Sequence, residues 1–308
     1  MWDAVKILFI VNPKAGRGKP RRLWPQISEV FRAQDRSFEV AFTQGRGQGK
    51  ALARQGVQNG FELIVAVGGD GVVNEVVNGL MAEGKAVNPQ AALGIIPCGS
   101  GNDLARMLGL PRETLAAARH LARSNQSRLI DIGEVVYVCG DRKELRFFAN
   151  DANLGFAADV VQRLERTGKF SRGTVPYFVA LLLTALRHRS QHVRLCLEGR
   201  SSEGKMTTVL VCNGQSTGGG MWVAPEASLD DGLFDVIAVR SLRPWEIFWH
   251  APKIYRGTHI AIRQVSVHRA RTVSVTSPER LSVVADGELI GESPATFRVL
   301  PLALRVRV

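Results

Sequence analysis

The sequence predicts an α/β domain followed by an all-β domain, and three observations carry that prediction. In the first part, apolar runs rich in β-branched residues alternate with segments of helical period, as in a parallel sheet covered by helices. From about Leu129 onward, strand-like runs follow one another directly, many joined by hairpin turns. Between the two lies a polar break, Ser124-Asn125-Gln126-Ser127. The expected domains are therefore residues 1–128 (α/β) and 129–308 (an antiparallel β-sandwich or barrel), with the extreme C-terminus packing back on the first domain.

The elements follow in order. Val5–Val11 reads as a strand that stops at Asn12-Pro13, and Trp24–Ala33 as a helix. Phe38–Phe42 is a strand, Gly49–Asn59 a helix and Glu62–Val67 a strand. Val73–Met81 is a helix, because Val73, Val76, Val77 and Leu80 are spaced for one face. Ala92–Pro97 closes the series as a strand, with helices at Asp103–Leu108 and Thr114–Ala122. In the second half, strands are expected at Leu129–Val138, Leu145–Asn150, His192–Leu197, Thr207–Cys212, Phe234–Val239, Ala261–Val267, Thr272–Thr276 and Leu281–Ala285. Hairpin turns fit Gly140-Asp141 and Ser201–Gly204, and helical insertions fit Ala157–Arg166 and Val175–His188.

Composition narrows the function classes. At 308 residues, with 45% hydrophobic and 22% charged residues, the chain is an ordinary globular protein long enough for two domains. Its formal net charge of +12 favours polyanionic partners: nucleic acid, an acidic membrane surface or phosphorylated substrates. Cys98, Cys139, Cys196 and Cys212 form no C-x-x-C pair and read as reduced core thiols of a cytosolic protein. No signal peptide is visible, and the longest apolar segment, Val175 to Leu186, is shorter than the roughly 20 residues a bilayer span needs.

Chemistry is suggested by the ends of the strands. The run Leu63–Val67 stops at Gly68-Gly69-Asp70-Gly71, just before a helix. Glycines let the backbone approach a ligand closely, and free N–H groups at a helix start favour phosphate. A carboxylate facing phosphate needs a divalent cation between them, so Asp70 hints at Mg²⁺-nucleotide chemistry. Asn12–Lys19, after the first strand, is a basic glycine-rich loop that fails the P-loop pattern, since Pro13 stands at its first glycine and Pro20 follows Lys19. Gly94–Ala105 repeats the device, although Asp103 could equally serve as an N-cap.

In the second half, Ala227–Asp235 carries adjacent aspartates that fit either a tight turn or a cation site. Asp286-Gly287-Glu288 has the form of an ordinary hairpin turn. Gly45–Gly49 misses the dinucleotide spacing and reads as a flexible turn. The six histidines show no metal-ligand spacing.

Taken in order, these motifs resemble the diacylglycerol kinase catalytic-domain family of lipid kinases, including bacterial soluble and sphingosine kinase-like members. The N-P-x-[AS]-G signature aligns with Asn12–Gly16, G-G-D-G-T-x-N-E with Gly68–Glu75, and G-T-x-N-D-[FL]-A with Gly99–Ala105. The later N-x-x-x-G-F-x-A signature aligns loosely with Asn153–Ala158, L-D-D-G aligns with Leu229–Gly232, and D-G-E with Asp286–Glu288. The resemblance covers essentially the whole chain. It implies a Rossmann-like N-terminal nucleotide-binding domain, a C-terminal β-sandwich for the lipid substrate, and an active site in the cleft.

It further implies ATP contacts from Asn12, Pro13, Lys14, Ala15, Gly16, Thr43, Gly68, Gly69, Asp70, Gly71, Val72, Val73, Asn74 and Ser100. Asp70 and Asp103 would lie by the phosphates and the catalytic Mg²⁺, and Glu288 would be the general base. Ser228 and Leu233 (through carbonyls) and Asp231 would bind a structural Mg²⁺.

One departure is Val72, where the family usually carries threonine; Ser100 replaces another threonine but keeps the hydroxyl. The implied partners are a lipid alcohol such as diacylglycerol and, peripherally, the anionic inner membrane surface of the cytoplasm, with no nucleic acid. Arg163, Arg166, Lys169, Arg172, Arg187 and Arg189 flank the apolar insertions and suit that docking, or simply form a solvated basic face. Phe156, Val175, Tyr177, Phe178, Leu181 and Leu182 fit either an acyl slot or a packed helix core. Two alternatives stay open: an NAD kinase-like enzyme for a soluble hydroxyl, and a catalytically weakened lipid-binding relative.

Overall fold

The computed structural model describes residues 5–166 and 174–308, which divide into two compact units. One comprises the described residues up to 132 together with 300–308, and the other the described residues from 133 to 299.

The first unit is built on a parallel sheet. Its strands β1 (Ile7–Val11), β2 (Phe38–Phe42), β3 (Leu63–Gly68) and β6 (Ala92–Pro97) lie in the order β6-β3-β1-β2. A short antiparallel pair, β4 (Met81–Ala82) and β5 (Lys85–Ala86), stands apart. The helices are α1 (Lys19–Arg32), α2 (Gln48–Gln58), α3 (Asp70–Leu80), α4 (Asp103–Met107) and α5 (Thr114–Arg123). Strands β1, β3 and β6 are buried throughout and read as near-continuous apolar runs, as strands covered on both faces do. Phe9 sits at the centre of an aromatic cluster with Trp24, Phe31 and Phe38, all in edge-to-face contact at 4.8–5.2 Å. The parallel register runs Val11 beside Phe42 and Val67, and Gly68 beside Pro97, so all four strands end at one edge.

The second unit is antiparallel. Its strands are β7 (Ser127–Cys139), of which residues 127–132 belong to the first unit, β8 (Arg142–Phe148), β9 (Asp151–Gly155), β10 (Gln191–Leu197), β11 (Arg200–Cys212), β12 (Phe234–Arg240), β13 (Val265–Ala270), β14 (Thr272–Thr276), β15 (Ser282–Ala285) and the long β16 (Glu288–Arg307), of which residues 300–307 belong to the first unit. The ladders β11–β9, β9–β15, β15–β16, β16–β14, β14–β10 and β10–β11 return to their starting strand, so the sandwich is laced shut. β11 makes this possible: residues 200–206 pair with β10, and residues 208–212 pair with β9. Phe148, Phe234 and Phe297 fill the interior. Helices α6 (Phe156–Arg166), α7 (Thr174–Ala185) and α8 (Pro244–Ile254) form a smaller apolar cluster of their own.

Several expectations need correction. The segment Ser201–Gly204 lies inside β11, and the chain reverses instead at Glu198-Gly199, where both residues have positive φ. The strand expected at Ala261–Val267 is a 3-10 turn, Thr258–Ala261, followed by β13. α3 begins at Asp70 rather than Val73, so the glycine-rich stretch forms the helix start itself. The turn read at Gly45–Gly49 runs into α2, which starts at Gln48 and contains Gly49 as the helix reading of Gly49–Asn59 expects. Cys139 is exposed and Cys196 half-buried, so only Cys98 and Cys212 are core thiols. Phe156 and Leu181 are buried in the helical cluster and supply no open slot. The side chains of Val175, Tyr177 and Phe178, together with Lys169 and Arg172, lie outside the described residues.

Candidate active site

Three loops leave the common edge of the parallel sheet and pack on one another. The first, after β1, is held by Asn12: its N–H donates to Val67 O at 3.0 Å, and its Oδ1 accepts the Lys14 N–H at 3.1 Å. Gly16 has φ of +49°, and a Cβ there would run into the Cys98 carbonyl, so only glycine lets the first loop rest on the third. The second and third loops meet back to back, because a Cβ on Gly99 would lie 2.6 Å from the Gly69 Cα.

Asp70 ties these loops together. Its Oδ2 accepts the Asn102 N–H and its Oδ1 the Asp103 N–H, each at 2.7 Å. The pair of bonds caps the start of α4 with a negative charge, where a helix favours one. Burial, followed by the neighbouring Asp103 carboxylate, pushes the Asp70 pKa up from its ordinary 3.8. Asp103 is itself buried and pairs with Arg106, whose other arm donates to Gly101 O at 2.7 Å. Asn102 completes the loop by accepting from Gly99 N–H at 3.0 Å and donating to Gly99 O at 2.9 Å.

The other predicted nucleotide residues divide by exposure. Lys14, Gly16 and Ser100 are exposed, and Pro13, Gly69 and Gly71 are partly so. Thr43 joins the edge through its N–H, which donates to Val11 O at 2.9 Å, and Ala15 packs beneath the first loop. Val72, Val73 and Asn74 are buried, at 3%, 6% and 1% exposure. Val72 lies against Gly68, where a Cβ would come within 2.6 Å of its Cγ1. Glu75 turns away from the loops: its carboxylate accepts the N–H groups of Gly47 at 2.8 Å and Gly49 at 2.7 Å, capping α2.

The second unit brings together a different set. Asp286 and Gly287, both at positive φ, form the two-residue turn between β15 and β16. The Asp286 carboxylate accepts N–H groups from Ala149 (2.9 Å), Asn150 (2.8 Å) and Asp151 (3.2 Å). That anchorage places Glu288, the first residue of β16, beside Arg146 in a half-exposed ion pair. Asn153 donates to the Asp151 carboxylate at 3.0 Å.

Ser228, Asp231 and Leu233 share one turn. Asp231 accepts the Leu233 N–H at 3.0 Å and pairs with the Arg269 guanidinium, while Ser228 donates to Asp230 at 2.7 Å. Burial pushes the Asp235 carboxyl up and Arg269 offsets part of that rise. The atoms expected to hold a structural Mg²⁺, the Ser228 and Leu233 carbonyls and the Asp231 carboxylate, all belong to this one turn.

Two positions went unnoticed in the sequence. Arg106 had a usable signal, three residues after Asp103 on one helix. Arg146 had none, because it lies 142 residues from Glu288.

Comparison with known proteins places both parts of the chain in known domain families. Residues 6–135 match the model of the diacylglycerol kinase catalytic domain, and residues 151–308 match the YegS C-terminal NAD kinase beta sandwich-like domain. The chain belongs to the diacylglycerol kinase catalytic-domain family. It is 31% identical to the diacylglycerol kinase of Mycobacterium tuberculosis (strain H37Rv) over 98% of this chain and 94% of that one. With the diacylglycerol kinase of Bacillus subtilis (strain 168) it shares 30% identity over 94% of this chain and 91% of the other. The crystal structure of a diacylglycerol kinase from Bacillus anthracis str. Sterne has the same fold, with a TM-score of 0.78 and 23% identity over 99% of this chain and 98% of that one. This diacylglycerol kinase family member is accordingly an enzyme of the lipid kinase class.

Proposed function

We propose that this family member transfers the γ-phosphoryl group of ATP to the hydroxyl of a lipid, diacylglycerol or a related lipid alcohol, in a Mg²⁺-dependent reaction. The observation that carries the reading is the set of three interlocked loops at one sheet edge, with Asp70 and Asp103 brought together among them. Ligands of open α/β sheets collect at that edge. In this reading Asn12–Gly16, Thr43, Gly68–Asn74 and Ser100 form the Rossmann-like nucleotide site. Lys14 and backbone N–H groups hold phosphate oxygens, while buried Val72, Val73 and Asn74 support the loop from beneath.

Asp70 and Asp103 suit a catalytic Mg²⁺, since burial and the neighbouring Asp103 carboxylate raise the cost of ionising Asp70 and a cation relieves it. When bound, the ion neutralises charge developing on the transferred group. Glu288 acts as general base toward the acceptor hydroxyl, and Arg146 fixes its carboxylate. The lipid lies on the sandwich unit, and the enzyme works at the cytoplasmic face of an anionic membrane. Among the described residues no helix is long and apolar enough to cross a membrane.

Incubation with γ-labelled ATP, Mg²⁺ and a panel of diacylglycerol, phosphatidylglycerol, a long-chain base and NAD tests the proposal. Label in a lipid is the expected result. Label in NADP would replace it with a soluble-substrate kinase, and no transfer to any acceptor would remove it.

A further inference from the structure

Helix α8 has two apolar faces, and only one is used by the fold. Ile247 and Ala251 are buried in the small helical cluster with Leu181 and Ala185 of α7. Trp245, Phe248 and Trp249 stand at i, i+3 and i+4 on another side of the helix, with 62%, 45% and 76% of their surfaces exposed. Two more aromatics continue the patch at the C-terminal end. Trp222 is 40% exposed and its N–H donates to Ile254 O at 3.0 Å, and the adjacent Tyr255 is 49% exposed.

Scattered exposed apolar residues are ordinary, but a contiguous aromatic patch marks an interaction surface. Its composition selects the partner. Trp and Tyr are the side chains enriched at the membrane–water interface, where the ring is in apolar surroundings and the N–H or O–H stays hydrated. The surrounding charge is positive. Arg243 precedes the helix with its guanidinium 5.1 Å from the Trp245 ring, and Lys253 and Arg256 lie at the other end, against the single acid Glu246. The whole chain carries +12. Aromatic rings beside cationic side chains match an anionic bilayer surface in both its apolar and its charged part.

We propose that α8 is a monotopic docking element that inserts Trp245, Phe248 and Trp249 into the headgroup region of an anionic bilayer, with Arg243, Lys253 and Arg256 on lipid phosphates. The inference rests on the lipid-kinase reading only for its purpose. It supplies the contact through which the enzyme reaches a substrate dissolved in the membrane.

The test is flotation of the full chain with vesicles of phosphatidylcholine containing phosphatidylglycerol, without ATP, for the wild type and the W245S/W249S variant. Both rings project from the surface, so their removal leaves the buried cluster intact, and circular dichroism checks the fold. The variant is expected to lose about tenfold or more in vesicle partitioning, and wild-type binding to weaken steeply with added salt. Vesicles with brominated acyl chains are expected to quench wild-type tryptophan fluorescence, and W245F/W249F to bind as the wild type does.

Equal binding of wild type and W245S/W249S overturns the proposal, as does absence of wild-type binding. A wild-type dimer that W245S/W249S converts to monomers, with vesicle binding unchanged, overturns it in favour of a second copy. Vesicle binding without lipid phosphorylation overturns the kinase reading alone. Phosphorylation of water-dispersed short-chain diacylglycerol without vesicle binding overturns the docking inference alone.

Discussion

The Asp70 carboxylate caps the helix that begins at Asp103, accepting the Asp103 N–H at 2.7 Å while the two side chains repel each other. One contact therefore does two jobs. It locks the second loop to the third across 33 residues of chain, and it holds two carboxylates close enough to want a cation.

The first consequence is a pH dependence of stability. Asp70 titrates higher in the folded protein than its ordinary 3.8, with burial as the main cause and Asp103 next. The unfolded chain therefore loses this proton first as pH rises. By linkage, the Asp70 contribution to stability is greatest below 3.8 and declines as pH climbs through the raised folded value. Urea unfolding of wild type and Asp70→Asn between pH 3.5 and 7 reads the effect, at about 1.4 kcal/mol for each tenfold difference in acidity between the folded and unfolded carboxyl. Wild type should lose stability relative to the variant as pH rises. A difference that stays flat, or grows in the other direction, contradicts this role for Asp70.

The Arg146–Glu288 pair makes a kinetic prediction. Glu288→Gln should lower kcat by about 10²–10⁴-fold with nucleotide binding retained, as loss of a general base does. Arg146→Met should cost about 10–100-fold through misplacement of the carboxylate. The double variant should be no worse than Glu288→Gln, because both changes act on one group. Additive losses would give Arg146 a separate role.

Glu75 is a structural member of the loop motif. Removing its cap on Gly47 and Gly49 through Glu75→Ala should cost about 1–2 kcal/mol in chemical unfolding. Gly49→Ala should also destabilise, because the added Cβ would sit 2.6 Å from the Glu75 Oε2. Stability unchanged in both variants would show that the cap is not formed.

Val72 bears on whether the family's usual threonine is missed. Its side chain is 3% exposed and packs on Gly68. Val72→Thr should lower stability by about 1–3 kcal/mol, because it buries a hydroxyl, and should not raise kcat/KM for ATP. A tenfold gain in kcat/KM would mean that this position touches the nucleotide through its side chain.

Much of the α/β unit was legible because its signals are local. β2 and β6 begin and end where the apolar pattern does, and the glycine turns mark the sheet edge. The errors lie where long-range pairing or mixed patterning governs. β16 runs for 20 residues with several half-buried positions, and its ladders come from partners far away in the chain. α8 was missed because Pro244 and Pro252 interrupt the sequence and its apolar residues cover two faces instead of one stripe. Among the proposed site residues of each unit, Asp70 and Asp103 in the first and Glu288 in the second stood out through their motifs. The partners that orient them, Asn102 through its backbone and Arg146 through its side chain, depend on tertiary contact and leave no periodic trace.

The decisive measurement follows Mg²⁺-dependent label transfer from γ-labelled ATP to diacylglycerol in mixed micelles, for wild type and Glu288→Gln at matched ATP occupancy. Wild type is expected to give labelled phosphatidic acid, and Glu288→Gln almost none. Equal product from the two proteins, or none from a wild type that binds ATP and Mg²⁺, would contradict the proposed lipid-kinase mechanism.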